Sequence, residues 1–344
     1  MHKAGQRVIL TSQPIFDTKI FLVAASLSDF EILFKCRYPY ILTSIWFKDK
    51  VLQRGISSYK ELFEYFEQDP KNYEIFLDSG SYSITSGGHA FTDKEIYNYL
   101  DNYIEFIYAN REYISLYCNV DLQFKEEKSK EFYRHLCASG LHDSIQVHHR
   151  PERLRFFDEI VEKYQDPDRS IIAVSPQPMC SPTIKYEYTK RIFGLNPNVK
   201  VHLLGSVDYK ILTSFNVYSA DSSGAARLAS TGGIRTPVGT FDAGNRRSDP
   251  QHIYNQTPQK IKELEEYLNT LGYNISDVTG NDLGTSRIRL EITIKSYLHM
   301  MKRIKRNKTL VELPSRKEVL KLPYSKVYGS YQLNGKFPRK GEWK

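Results

Sequence analysis

The sequence predicts an α/β protein, a (β/α)8 barrel of the TIM type carrying a basic C-terminal extension of helices and extended chain. Three observations predict it. Short apolar runs alternate with amphipathic stretches between residues 20 and 223, and about eight such units fit that span. No G-x-G-x-x-G follows the first strands, which disfavours the doubly wound open sheet that is the other arrangement of repeated β–α units. Hydrophobic residues make up 40% and charged residues 26% of the 344, enough to bury a core and to exclude wholesale disorder.

The strand candidates, in order, are Ile20–Ala25, Ile41–Trp46, Tyr73–Leu77, Ile114–Val120, Ser144–Val147, Ile171–Val174, Lys200–Leu204 and Val217–Ala220. Each is short and rich in Ile, Val, Leu, Tyr or Phe, as strands buried on both faces tend to be. Helical patterns lie between them at Tyr59–Glu67, Asp93–Ala109, Lys128–Ser139, Pro151–Tyr164 and Lys185–Phe193. Pro151 suits a first helical turn, and Thr92 with Glu95 reads as a capping box. After residue 223 the texture changes. Residues 230–257 read as a long polar, Gly-rich loop, followed by helices at Pro258–Leu271 and Glu291–Arg306 and an extended tail with Pro314, Pro323 and Pro338. A boundary is expected between a barrel at 1–257 and the extension at 258–344.

The formal charge of +8 is concentrated at one end. Residues 301–344 hold 13 Lys/Arg and 3 Asp/Glu, a net of +10, so the first 300 residues carry 35 basic and 37 acidic side chains. Such a tail attracts polyanions, nucleic acid above all, although a solvated tail has the same composition. Cys36, Cys118, Cys137 and Cys180 stand apart, with no C-x-x-C pair and no zinc spacing, and read as reduced thiols of a cytoplasmic protein. The N-terminus lacks the apolar core of a signal peptide, and no run approaches a membrane span.

In a barrel, residues just past the carboxyl ends of the strands face the active site. That rule isolates Asp78-Ser79-Gly80-Ser81, Asp121, Gln146 with His148-His149, Ser175, Gly205-Ser206 and Asp221-Ser222-Ser223-Gly224. A lone Asp at a strand end is ordinarily a helix N-cap. Three of them, Asp78, Asp121 and Asp221, each directly after an apolar run, would instead converge on one mouth. Adjacent histidines on an extended segment point oppositely, so at most one of His148 and His149 faces the site, as a metal ligand or otherwise.

Asp78-Ser79-Gly80 after a hydrophobic strand resembles the D-S-G-G motif of tRNA-guanine transglycosylases. Tyr218-Ser219-Ala220-Asp221-Ser222-Ser223 is similar to that family's nucleophile strand. Val120-Asp121, Gln146 with Leu154-Arg155, and Ala173-Val174-Ser175 follow the order of its base-recognition elements, over roughly residues 20–235. The family's C-terminal Cys/His zinc site has no counterpart, since no cysteine follows Cys180. The pocket Gly-Gly reads Val174-Ser175, and the Gly after the pocket glutamine reads Val147. A zinc-free chain with a basic tail most resembles the 7-deazaguanine DNA transglycosylases of phages and bacteria, which would place it in the bacterial or host cytoplasm.

The resemblance implies Asp221 as nucleophile on C1′ of a guanosine nucleotide and Asp78 as general acid/base. Ser79, Gly80, Asp121, Gln146, Val174, Ser175 and Tyr218 would hold the base, with Tyr82 or Tyr218 stacking on it. Arg227, Arg235, Arg246 and Arg247 would position phosphates. The co-substrate would be a 7-deazaguanine such as preQ0 or preQ1, the polymer DNA or alternatively tRNA, with no cofactor or metal. Relatives form homodimers, but the absent zinc region removes one of their contact surfaces. The competing readings are a metal-dependent phosphodiesterase using Asp78, Asp121, Asp221 and His148, and a non-catalytic nucleic-acid-binding barrel.

Overall fold

The structure is a computed structural model and describes residues 17–81, 92–122, 125–150, 154–163, 171–176, 180–244, 249–280 and 282–321. Eight parallel strands form one curled sheet: β1 Lys19–Val23, β2 Tyr40–Ser44, β3 Glu74–Asp78, β4 Ile114–Tyr117, β5 Gln146–His149, β6 Ile171–Ser175, β7 Lys200–Leu203 and β8 Ser219–Ser222. The spatial order β4-β3-β2-β1-β8-β7-β6-β5 brings the first and last strands together, Phe21 opposite Asp221. A single parallel bridge between Cys118 and Ile145 joins the remaining two edges. The expected TIM-like α/β class is the observed one.

Pleating sorts the strand residues between two cores. Phe21, Leu42, Phe76, Cys118, Ile145, Val147, Ile171 and Ala173 fill the inside of the curled sheet. Their neighbours, among them Ile20, Leu22, Ile41, Ile75, Leu77, Ile172, Val174, Val201 and Leu203, pack outward against the helices. Helix Asp93–Ala109 begins and ends where its sequence pattern places it, with the Thr92–Glu95 capping box formed. Others shift by one to three residues, to Tyr59–Tyr65, Glu126–Ala138 and Pro182–Leu195, and a helix is described over Leu154–Lys163, the expected ends Pro151 and Tyr164 lying outside the described residues. Several helices escape the sequence reading, Leu27–Lys35 and Tyr209–Ser214 between barrel strands and the short Lys48–Val51, Gly224–Ser230, Ile275–Val278 and Arg316–Lys321. Helix Leu27–Lys35 has a local signal, the Ser26 side chain accepting from the Asp29 N–H.

The stretch expected as a long loop contains structure. Strands β9 Gly233–Thr236 and β10 Gly239–Asp242 form an antiparallel hairpin. The hairpin packs on helices Pro258–Thr270, Ile275–Val278 and Leu283–Arg306 through Ile234, Phe241, Ile253, Leu264, Leu268, Val278 and Ile292. Residues on both sides of position 257 thus share one core. Helix Leu283–Arg306 starts two turns before the expected Glu291. Those polar turns carry Arg289, whose buried guanidinium donates to the carbonyls of Ala229, Val278 and Gly280. Pairing at those three carbonyls is what makes burial of that charge tolerable.

The first part of the tail is packed rather than extended from the protein. Thr309 and Val311 donate backbone hydrogen bonds to Thr213 and Ser214, and a short helix, Arg316–Lys321, buries Val319 against the outer helices. Among the described residues, no helix is long and apolar enough to cross a membrane.

Candidate active site

At the carboxyl ends of the strands, β3, β8 and the segment after β4 deliver Asp78, Asp221 and Asp121 to one mouth. Their common reach is visible beneath them at Cys118 inside the sheet. Burial raises this thiol's pKa well above its ordinary value, and the charges of Asp78, Asp121 and Asp221 add to the effect. Convergence of the three carboxylates, read from strand ends alone, is therefore a property of the fold.

Asp78 closes β3. Burial lifts its carboxyl to about 6; the Gly80 N–H and the Ser44 hydroxyl pull it down, while Asp121 and Asp221 push it up. The Gly80 N–H donates to Asp78 Oδ2 at 2.9 Å. Gly80 has φ +72, and a Cβ there would lie 2.7 Å from the Tyr99 hydroxyl and 3.1 Å from Trp46 Cβ. Ser79 is fully buried, its hydroxyl 2.7 Å from that of Ser81 and its carbonyl accepting from Tyr99. Ser81 Oγ in turn accepts from the Asp121 N–H at 2.9 Å. Ser79 and Gly80 thus shape the turn that ties Asp78 to Asp121. Gly80→Ala combines a left-handed conformation, which costs about 1–2 kcal/mol for an L-residue, with steric overlap. Its melting temperature is expected to fall by roughly 2–6 °C, measured calorimetrically, with loss of any activity that depends on Asp78. An unchanged transition would show that the turn relaxes freely.

His149 lies on the inward face of β5 and its Nε2 donates to Asp121 Oδ2 at 2.5 Å. Ser175 ends β6 beside it, paired in register. His148 points the other way: it is fully buried among Phe156, Phe157 and Tyr188, with Nδ1 2.7 Å from the Tyr188 hydroxyl. Only one of the adjacent histidines faces the mouth, as the extended backbone requires. It is His149, so the His148-based metal site is not formed. Among the described residues, no group of three or more His, Cys, Asp or Glu side chains is arranged to hold a metal ion.

Three expected base contacts are placed away from the mouth, two by the pleat and one by its position along the strand. Gln146 shares the outward face with His148, because Val147 between them belongs to the inner core. Val174 packs outward, while Ala173 and not Val174 lines the interior. Tyr218 precedes β8 and sits at the opposite, amino-terminal end of the sheet. There Lys19 Nζ reaches its hydroxyl at 3.2 Å and both Glu74 oxygens at 2.8 Å. Those three residues form a polar plug at the floor of the barrel, far from the aspartates.

The arginines divide as well. Arg235, on β9, stacks over the Tyr297 ring at 5.1 Å, and the Tyr297 hydroxyl lies 3.2 Å from Ser222 Oγ at the end of β8. Ser222 shares the outward parity of its register partner Leu22, so Arg235 lies on the outer side of β8, over helix Leu283–Arg306, and not at the mouth. Arg227 is exposed on helix Gly224–Ser230, which leads away from β8. Arg246, Arg247 and Tyr82 lie outside the described residues. The basic end of helix Leu283–Arg306 sits at the floor side: Lys305 pairs with Asp17 and Lys308 donates to Thr18, just before β1. This part of the C-terminal charge is not beside the mouth.

Several mouth residues were not singled out from sequence. Trp46, just past β2 and half-exposed, stands over the Gly80 turn beside Tyr99. His202, on β7, is fully buried with Nε2 3.2 Å from Asp221 Oδ1, and the Gly205 N–H donates to the same oxygen at 2.8 Å. Among the described residues, no hydrogen bond reaches Asp221 Oδ2. A histidine inside the apolar run Val201-His202-Leu203 is a polar residue on an otherwise buried strand, the one local signal that could have marked it. Compared with known proteins, the chain matches no protein-family model and no curated protein.

Proposed function

We propose that this protein exchanges a purine base in a nucleic acid, replacing guanine by a 7-deazaguanine such as preQ0 or preQ1 through a glycosyl ester on Asp221. The supporting observation is three convergent aspartates, one of which, Asp78, has its carboxyl lifted to about 6. A group at that value can be an acid in one half-reaction and a base in the next at near-neutral pH.

In the first half, Asp221 Oδ2 attacks C1′ as the C1′–N9 bond breaks, and protonated Asp78 gives its proton to the departing guanine. Charge develops on the sugar as an oxocarbenium ion, which the anionic carboxylates stabilise. In the second half, the Asp78 carboxylate takes the N9 proton of the incoming base. N9 then attacks C1′ and Asp221 is released. One N-glycosidic bond replaces another, so the balance needs neither nucleotide hydrolysis nor an electron carrier. Asp121, held by His149, would accept the N1–H and N2–H donors of a guanine-like edge, with Ser175 at the pocket wall and Ser79 and Gly80 shaping the turn that carries Asp78. A base inside a duplex must be extruded to reach this mouth. DNA is the preferred polymer because the chain lacks the zinc region of the tRNA-acting family it resembles.

The test offers labelled guanine or 7-deazaguanine with duplex DNA, single-stranded DNA and tRNA in parallel. Label is expected to enter DNA. Label entering only tRNA reassigns the polymer, and label entering none, with chelator-sensitive strand cleavage instead, replaces base exchange by phosphodiester chemistry.

A further inference from the structure

The fully buried histidine of β7 has no part in the exchange chemistry described above, yet its ring joins two residues of β8. Ser219 and Asp221 are two apart on one strand and so share its inward face. His202 is the register partner of Ser219, and its ring lies along that face, Nδ1 2.8 Å from Ser219 Oγ and Nε2 3.2 Å from Asp221 Oδ1. Phe76 meets the ring edge-on at 4.6 Å and Phe21 at 6.1 Å, which leaves it little freedom to turn.

The proton inventory follows from the partners. A carboxylate can only accept, so Nε2 carries the hydrogen. In the neutral ring Nδ1 is then an acceptor, and the Ser219 hydroxyl donates to it. Both ring nitrogens are thereby engaged, which leaves the imidazole no free atom for a substrate. Asp221 itself is buried and shares the mouth with two other carboxylates, Asp78 and Asp121. Two donors meet on Oδ1, the Gly205 N–H and the His202 N–H, and so fix which oxygen faces outward.

We propose that His202 is the positioning residue of Asp221: oriented by Ser219, it donates to Oδ1 and holds the carboxylate with Oδ2 turned to the mouth. The catalytic importance of this rests on the base-exchange reading, but the hydrogen bond and its effect on the carboxylate do not.

The test therefore begins without substrate. The Asp221 carboxyl is followed by carbon-13 NMR as pH is varied, assigned with Asp221→Asn, in the wild type, His202→Leu and His202→Gln. Gln retains an N–H near the place of Nε2, and Leu does not. Losing one hydrogen bond to a charged group corresponds to a rise in the Asp221 midpoint of about one to two pH units in His202→Leu. His202→Gln is expected to stay within about half a unit of the wild type. A midpoint that Leu leaves unmoved, or that Gln moves as far as Leu, overturns the proposal. If the Leu variant does not fold, Ser219→Ala decides. It loses the partner that orients the ring, so a smaller rise in the same direction is expected, and an unmoved midpoint overturns the proposal.

The second arm measures covalent adduct with DNA in a single turnover. His202→Leu should slow adduct formation by roughly 10- to 100-fold with nucleic-acid affinity unchanged, and His202→Gln should recover most of the rate. A wild type that gives no adduct while the titration behaves as expected removes base exchange and leaves the positioning role standing.

Discussion

Asp221→Ala is expected to abolish base exchange, lowering label incorporation by at least about three orders of magnitude and eliminating any adduct stable to denaturation. The carboxylate is buried at the mouth, with Oδ1 held by the Gly205 N–H and His202. Alanine removes the nucleophile, and no other described carboxylate occupies its position on β8. Asp221→Asn is the sharper control. It keeps shape and one acceptor oxygen while losing the anion, so nucleic-acid binding should survive and the adduct should not. Incorporation by either variant above about a tenth of the wild-type rate would exclude a glycosyl ester on this residue.

Asp78→Asn is expected to have two opposite effects. Exchange should fall by roughly 10²- to 10⁴-fold, the usual range for losing a positioned general acid/base. Wild-type half-reactions should respond to pH in opposite senses around 6. Release of guanine needs protonated Asp78 and slows as pH rises through about 6, whereas capture of the incoming base needs the carboxylate and slows as pH falls through it. Both limbs should vanish in the Asn variant.

Stability should move the other way. The folded-state value, about 6, lies above the unfolded value of about 3.9, so between these the native state binds more protons and stability declines as pH rises. The penalty is complete above pH 6 and absent below about pH 4. An amide carries no such penalty. Asp78→Asn should therefore melt higher than the wild type at pH 8, by an amount on the order of 1–3 kcal/mol, and lose that advantage near pH 4. A variant less stable than the wild type at pH 8 would show that the carboxylate is held by its Gly80 and Ser44 donors more strongly than burial and its acidic neighbours oppose it.

Much of the architecture is local in origin and was legible in the chain. Helix Asp93–Ala109 follows its amphipathic pattern from a Thr92 cap that the next three residues complete. Apolar runs spaced for parallel strands specify the eight-stranded sheet, and the rule that strand ends carry function picks out Asp78, Asp121 and Asp221. The hairpin Gly233–Asp242 was not legible, because its strands are four residues each and owe their burial to helices up to 60 residues later in the chain.

What the chain could not reveal is parity. A strand displaced by one residue reverses every side chain, and the apolar runs here are buried on both faces, so hydrophobicity carries no mark of which face is inside. Gln146 and His149 stand on one strand, yet only His149 meets Asp121; Val174 faces the helices while Ser175 ends the inward row. Tyr218, three residues before Asp221, belongs to the floor with Lys19 and Glu74. Composition and order along the chain were sufficient for the class of fold and for three acidic residues at one end of it. The company those residues keep, His149 on Asp121 and His202 on Asp221, depends on strand register and the closure of the sheet, which bring together atoms 28 and 19 positions apart. Such contacts arise only when distant strands pair, and that pairing follows from packing the whole sheet rather than from any local stretch of sequence.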